Sequence, residues 1–173
     1  GNGGAPTVLI GLDGAPFDIL EPLIGAGLMP SLGGLVEKGA RAILRSTIHP
    51  LTPPAWTTMT TGRPPGAHGV FDFIRIDRTG PQPSYTLATS EDVKVPTIWS
   101  MASDAGLSAT VLNFPVTFPA QPISGVVIPG YVPWSYLGRA IYPREVFKLL
   151  KERGVFAARE MSTDWQHERK AVQ

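Results

Sequence analysis

Thr7-Val8-Leu9-Ile10-Gly11-Leu12-Asp13-Gly14 is the stretch from which the fold is read. Its first six residues are apolar or β-branched and do not alternate with polar ones. Such a run marks a strand covered on both faces, the usual state of a strand in a parallel sheet. Asp-Gly then predicts a turn. The pattern places Asp13 at the carboxyl end of a buried strand, the edge where open α/β sheets gather their ligands.

Outward from this strand the chain alternates between helical and strand patterns. Residues 19–26 carry apolar side chains at helical spacing, with Pro22 blurring the start. Residues 30–38 read as a helix with Ser31 as a possible cap and Gly39 as the stop, and 40–46 as a strand. A Pro- and Thr-rich loop over 47–54 leads into a short helix at 55–61, closed by Gly62. Residues 63–95 read as a loop-rich insertion punctuated by Gly66, Gly69 and Gly80. A helix at 96–105 opens with proline in its first turn and ends at Gly106. Strands follow at 107–113 and 125–128, and an amphipathic helix at 143–153. This order predicts an α/β domain, a mostly parallel central sheet with helices on both faces, spanning residues 1–173.

Composition narrows the function classes. Of 173 residues, 43% are hydrophobic and 17% charged, so the chain can bury a core and is not a disordered polymer. A net charge of +1 without a basic run does not indicate a nucleic-acid surface. The absence of cysteine removes disulfides, thiolate metal sites and a cysteine nucleophile. No apolar stretch reaches the ~18 residues that a membrane span needs. The 19 glycines and 18 prolines fall between periodic segments and act as turn markers.

Two residues carry the chemistry. A carboxylate at the end of a buried strand suits a divalent cation, which prefers hard oxygen ligands; the same residue also serves as a turn Asp bonding nearby amides. Thr52, in Leu51-Thr52-Pro53-Pro54-Ala55-Trp56, stands where a helix begins. It is positioned as an N-cap, or as a hydroxyl which a neighbouring metal would activate to attack phosphorus. Since prolines lack amide hydrogens, Thr52 and Ala55 are the expected backbone donors to an anion there.

Taken together, VLIGLDG at 8–14, MPSLGGLVEKGA at 29–40 and STIHPLTPPAWTTMTTGRPPGAHGVFDF at 46–73 resemble the type I phosphodiesterase and nucleotide pyrophosphatase branch of the alkaline-phosphatase superfamily. PTIWSMASDAGLSATVLNFPVTFPA at 96–120 is similar to bacterial and archaeal members. The resemblance implies a hydrolase of phosphodiesters or phosphomonoesters with two divalent metal ions, usually zinc. It implies that Asp13 is a metal ligand. It also implies that Thr52 ligates the same metal and forms a covalent phospho-threonine intermediate.

Departures from that pattern matter. Where many eukaryotic members carry an Asn three residues after the nucleophile, this chain has Ala55, so nucleotide specificity is not implied. Asn113, at the end of a predicted strand, is the candidate substrate-binding group, with a turn role as the alternative. His68 matches the branch's His-Gly and is expected to orient its loop by hydrogen bonds. His49 is expected in a loop and His167 in solvent. Trp56 and Trp99 are expected to pack, whereas Trp134 and Tyr136 are candidates to line a cleft.

The branch's other metal ligands form an Asp with a nearby His, an Asp-His pair and a further His, and residues 121–173 contain no match. Asp164 and His167 read as a solvated helix face. The segment is therefore expected to be the N-terminal part of a catalytic domain, inactive without its C-terminal part, with a small phosphate ester as substrate. The competing reading is a non-catalytic domain that keeps the first half of the fold and binds an anion or a partner.

Overall fold

The computed structural model describes residues 5–131, 138 and 140–154. Trp134, Tyr136, Asp164 and His167 lie outside them. The described residues fall into two compact units, one ending at Arg45 and the other beginning at Ser46. The architecture is mixed α/β, with helices and two two-stranded sheets, one of them parallel, among the described residues.

In the first unit, α1 (Phe17–Gly25) and α2 (Pro30–Lys38) pack together. Pro30 opens α2, where its missing N–H would have no helical partner anyway. The helices approach closely because Gly33 has no side chain: a Cβ there would lie 3.0 Å from the Ile24 side chain. Arg41 forms an ion pair with Glu21 and places its guanidinium 4.1 Å from the centre of the Phe17 ring. Its stem and charge thereby tie the end of the unit to α1.

The strands expected at 7–12 and 40–46 pair with no other strand among the described residues. Val8 is 78% exposed and Ile43 81%. Composition marks a segment that favours a strand, but a ladder needs a neighbour, which local sequence does not specify.

The second unit holds the core. Its first helix, α3 (Thr52–Thr61), ends at Gly62, which takes the left-handed conformation (φ 64°) and donates to the Thr58 carbonyl at 2.8 Å. The short α4 (Pro65–His68) follows. Where only a loop was expected, β1 (Ile74–Asp77) and β2 (Ser84–Leu87) form an antiparallel hairpin. Asp77 stabilises its turn by accepting from the Thr79 amide and hydroxyl, at 2.9 and 2.7 Å. These hydrogen bonds hold the Asp77 carboxyl below the usual carboxylate range.

A single 3-10 turn (Ser90–Asp92) leads to α5 (Ile98–Asp104), capped reciprocally by Thr97 and Ser100. Then β3 (Ala109–Leu112) and β4 (Gly125–Ile128) pair in parallel, with Ala109 opposite Gly125 and Leu112 opposite Ile128. The last described helix is α6 (Arg144–Glu152). Val111, Ile123 and Val127 form the buried centre, with Trp99, Phe114 and Tyr142 packed around it. Burying such side chains contributes roughly 1.5–3 kcal/mol each. No single helix among the described residues is long and apolar enough to cross a membrane.

Candidate functional site

Asp13 sits in a turn with Gly14, whose φ of 64° explains why glycine follows the carboxylate. The side chain is exposed and belongs to the first unit.

Thr52 belongs to the second unit and is half-buried. It is the first residue of α3; the cap position is Leu51, which has no side-chain hydrogen bond to offer. The capping role weighed from the sequence therefore shifts by one residue. Pro53 and Pro54 occupy the first turn and are buried. The Ala55 amide, expected to be available to an anion, is committed to the Leu51 carbonyl at 3.1 Å. The threonine hydroxyl thus stands at a helix start whose next two residues have no N–H, at the positive end of the helix dipole.

The helix start is held beside the carboxyl end of β3 by aromatic contacts. Phe114, just beyond that strand, meets Trp56 of α3 edge-on at 5.4 Å and Trp99 of α5 at 5.6 Å. Each such pair contributes ~0.5–1.5 kcal/mol beyond its buried area. Both tryptophans pack, as the sequence indicated.

The loop after β3 is strained. Asn113 and Val116 have φ of 57° and 58°. Asparagine tolerates this region, whereas a β-branched residue there is unusual. Asn113 has its backbone amide on the Ile128 carbonyl at 2.9 Å and is exposed. It lies in a bend directly after the strand. The loop is fastened further by Thr117, whose hydroxyl donates to the Phe114 carbonyl at 2.6 Å and accepts from the Gly130 amide at 3.2 Å.

A cleft of about 250 Å³ opens between this loop, the hairpin and Pro53. Phe73, Leu87, Phe118 and Tyr131 line it, together with Val116. Its apolar character escaped the sequence, because its walls come from five separated segments.

His49 has φ 61°, and its carbonyl accepts from the Leu51 amide at 2.8 Å and the Thr47 hydroxyl at 3.1 Å. That is the expected loop role.

His68 is fully buried. Its Nδ1 accepts from the Val70 amide at 3.1 Å, and its Nε2 lies 3.0 Å from Thr58 Oγ1. An amide can only donate, so Nδ1 carries no proton and Nε2 carries the hydrogen. Burial pushes the ring's pKa below the ordinary 6.5, opposed by a hydrogen bond to the Pro54 carbonyl. The folded chain therefore keeps neutral a ring that the unfolded chain protonates. This contribution to stability is complete above pH 6.5 and shrinks as the pH falls below it. Between about pH 7.5 and about pH 5, the unfolding temperature should fall further in the native protein than in His68→Gln; parallel thermal melts test this.

Among the described residues, no group of three or more His, Asp or Glu side chains converges to hold a metal ion. Asp13 and Thr52 are oxygen donors of the right type for a hard or borderline cation, yet two donors fall short of the four a zinc site takes.

Over residues 7–170, the chain matches the family model described as type I phosphodiesterase / nucleotide pyrophosphatase. No curated protein and no solved structure gives a significant match.

Proposed function

We propose, from the premise that the chain belongs to the type I phosphodiesterase / nucleotide pyrophosphatase family, that it cleaves phosphate esters through Thr52. The family places its complete form among the phosphoester hydrolases; the residue roles are our own assignment. The single observation that carries it is the position of Thr52. It is a half-buried hydroxyl at the first residue of α3, beside the apolar cleft that Pro53 shares.

In this reading, the Thr52 hydroxyl loses its proton and forms an Oγ1–P bond while the bond from phosphorus to the alcohol oxygen breaks. The alcohol leaves, and water then attacks the phospho-threonine to release phosphate or a monoester. Metal ions, for which we propose two zincs, supply positive charge that favours the ionised hydroxyl and offsets charge on the phosphoryl oxygens. Asp13 and Thr52 are the ligands contributed here, and the remaining ligands are assigned to chain outside the described residues. The exposed amide of Asn113 is the proposed polar contact to substrate. The cleft gives the alcohol portion of the ester an apolar berth.

Two results are expected. The full-length protein hydrolyses bis(p-nitrophenyl) phosphate or p-nitrophenyl phosphate, loses that activity on chelation and regains it with zinc. Quenching a turnover in acid traps one phosphoryl group on the peptide containing Thr52, detected by mass spectrometry. A chelated enzyme with undiminished activity would remove the metal from the proposal. The 173-residue polypeptide alone is expected to release no nitrophenol above the uncatalysed rate. Activity of that segment by itself would show that its own residues complete the site.

A further inference from the structure

We propose that Val116 is the specificity-determining residue of the apolar cleft: it closes the cleft against a second cavity and so limits the alcohol portion of the ester to a single aromatic ring. The inference rests on the reading of Thr52 as the residue at which the ester is cleaved.

The cleft has a neighbour. A cavity of about 130 Å³ has Trp99, Ile123 and Val127 in its wall. Val116 borders both spaces and is the one residue their walls share. Around it the chain alternates between them: Pro115 and Phe118 border the cleft, and Thr117 the smaller cavity. A second segment does the same, with Ala88 and Thr89 on the cleft and Ser90 on the smaller cavity. The two spaces are therefore adjacent, and Val116 is part of what divides them.

Val116 holds this place at a conformational cost. Its φ of 58° is one that β-branched residues avoid. A loop that needed only a left-handed residue could use glycine or asparagine, as it does with Asn113 at φ 57°. The conformation is imposed from both sides. The Thr117 hydroxyl bridges the Phe114 carbonyl and the Gly130 amide, at 2.6 and 3.2 Å. The Ser90 amide donates to the Phe118 carbonyl at 2.8 Å, and its hydroxyl to the Pro119 carbonyl at 2.5 Å. Strained residues held by their surroundings in this way cluster at ligand sites, where the strain fixes a side chain in place.

The wall also sets the chemistry of the occupant. No residue lining the cleft carries a charge, and the Thr89 hydroxyl is engaged with Asp92 at 3.2 Å. Pro53, next to Thr52 in the chain, borders the cleft as well. An ester held at Thr52 would thus direct an apolar alcohol past Pro53. A cavity of about 150 Å³ accepts benzene, so the cleft of about 250 Å³ takes a substituted ring. A second ring in line with the first needs the space that Val116 closes.

The test compares phenyl and biphenyl-4-yl phosphate, or their methyl diesters, as substrates of the full-length enzyme. The two phenols are of similar acidity, so the chemical step compares like with like. The native enzyme should favour the phenyl ester in kcat/KM by about tenfold or more. Val116→Gly, at ease at this φ, should raise kcat/KM for the biphenyl ester relative to the phenyl ester by about tenfold or more, through KM. Val116→Ala opens less space and should give a smaller gain in the same direction. The ratio of the two esters does not depend on the fraction of enzyme that is folded.

An unchanged ratio in a folded Val116→Gly enzyme overturns the proposal, as does a native preference for the biphenyl ester or a change confined to kcat. Failure of both variants to fold overturns it too, because Val116 then serves the fold alone. Full activity in Thr52→Ala would remove the reading of Thr52. An inactive Thr52→Ala enzyme beside an unchanged ratio in Val116→Gly would remove only the role of Val116.

Discussion

Replacing Thr52 with alanine is expected to reduce turnover of bis(p-nitrophenyl) phosphate by the full-length enzyme at least about 10³-fold while leaving the fold intact. The substitution removes the hydroxyl together with the γ-methyl group. Thr52 is half-buried and precedes two prolines that already fix the first turn, so alanine there leaves α3 in place. Its backbone conformation is helical, which alanine favours more than threonine. Circular dichroism and unfolding temperature should therefore match the native protein. The phosphoryl group trapped in a quenched turnover should disappear with the activity. Serine at the same position should recover part of the rate, because it restores the nucleophilic oxygen without the methyl group. Undiminished activity in the alanine variant would end the case for a phospho-threonine.

The second large effect is structural. Gly125→Ala is expected to destabilise the chain by roughly 3 kcal/mol or more, a large part of the 5–15 kcal/mol that a domain of this size has. Gly125 opens β4 at φ 137°, a conformation that side chains avoid, directly opposite Ala109 in the parallel ladder. A Cβ built there would stand 1.9 Å from the Ala109 carbonyl oxygen. That atom is backbone and cannot swing away, so the strands must separate or shift. Gly106→Ala supplies the comparison. Its φ of 77° is also positive, but a Cβ there meets nothing within 4 Å. It should cost only about 1 kcal/mol, the conformational part. Urea unfolding of both variants separates the two contributions. Equal losses would show that the contact with Ala109 relaxes without cost.

What was legible in the sequence divides along physical lines. Features closed by nearby residues were read well. These include the Asp13-Gly14 turn, α2 with Gly39 behind it, α3 closed by Gly62, α5 behind its proline, and β3 and β4 from their aliphatic runs. Each is specified within a few residues, by propensity, by a cap or by a positive φ.

The misreadings needed distant partners. Residues 7–12 have strand composition but pair with no strand among the described residues. The hairpin was passed over because Gly80, Pro81 and Pro83 look like breakers. Ile74 and Ile76, paired with Leu87 and Tyr85, were nevertheless an alternating signal on either side of them. At the site, motif and spacing drew attention to Thr52, Asn113 and His68. They did not give the commitment of the Ala55 amide, the left-handed Val116 or the hydrogen bond between His68 and Thr58. Those properties belong to backbone geometry and packing, which one-dimensional spacing does not encode.

The composition of α3 has a kinetic consequence. Five threonines and two prolines in ten residues make a segment with little intrinsic tendency to be helical. Within it, Thr60 and Thr61 turn their hydroxyls back onto the Trp56 and Thr57 carbonyls, at 2.9 and 2.6 Å, in competition with the helix's own amides. Such a helix has no stability of its own and exists because Trp56, the buried threonines and His68 are packed. It should consolidate late in folding, with fractional φ-values near zero at Thr57 and Thr60. Its amides should exchange with deuterium only through the opening that releases the β3–β4 pair as well. The Thr52 hydroxyl, proposed as nucleophile, would then come into register only once the surrounding core has closed, so partly folded chains would carry the threonine without its position at the helix start.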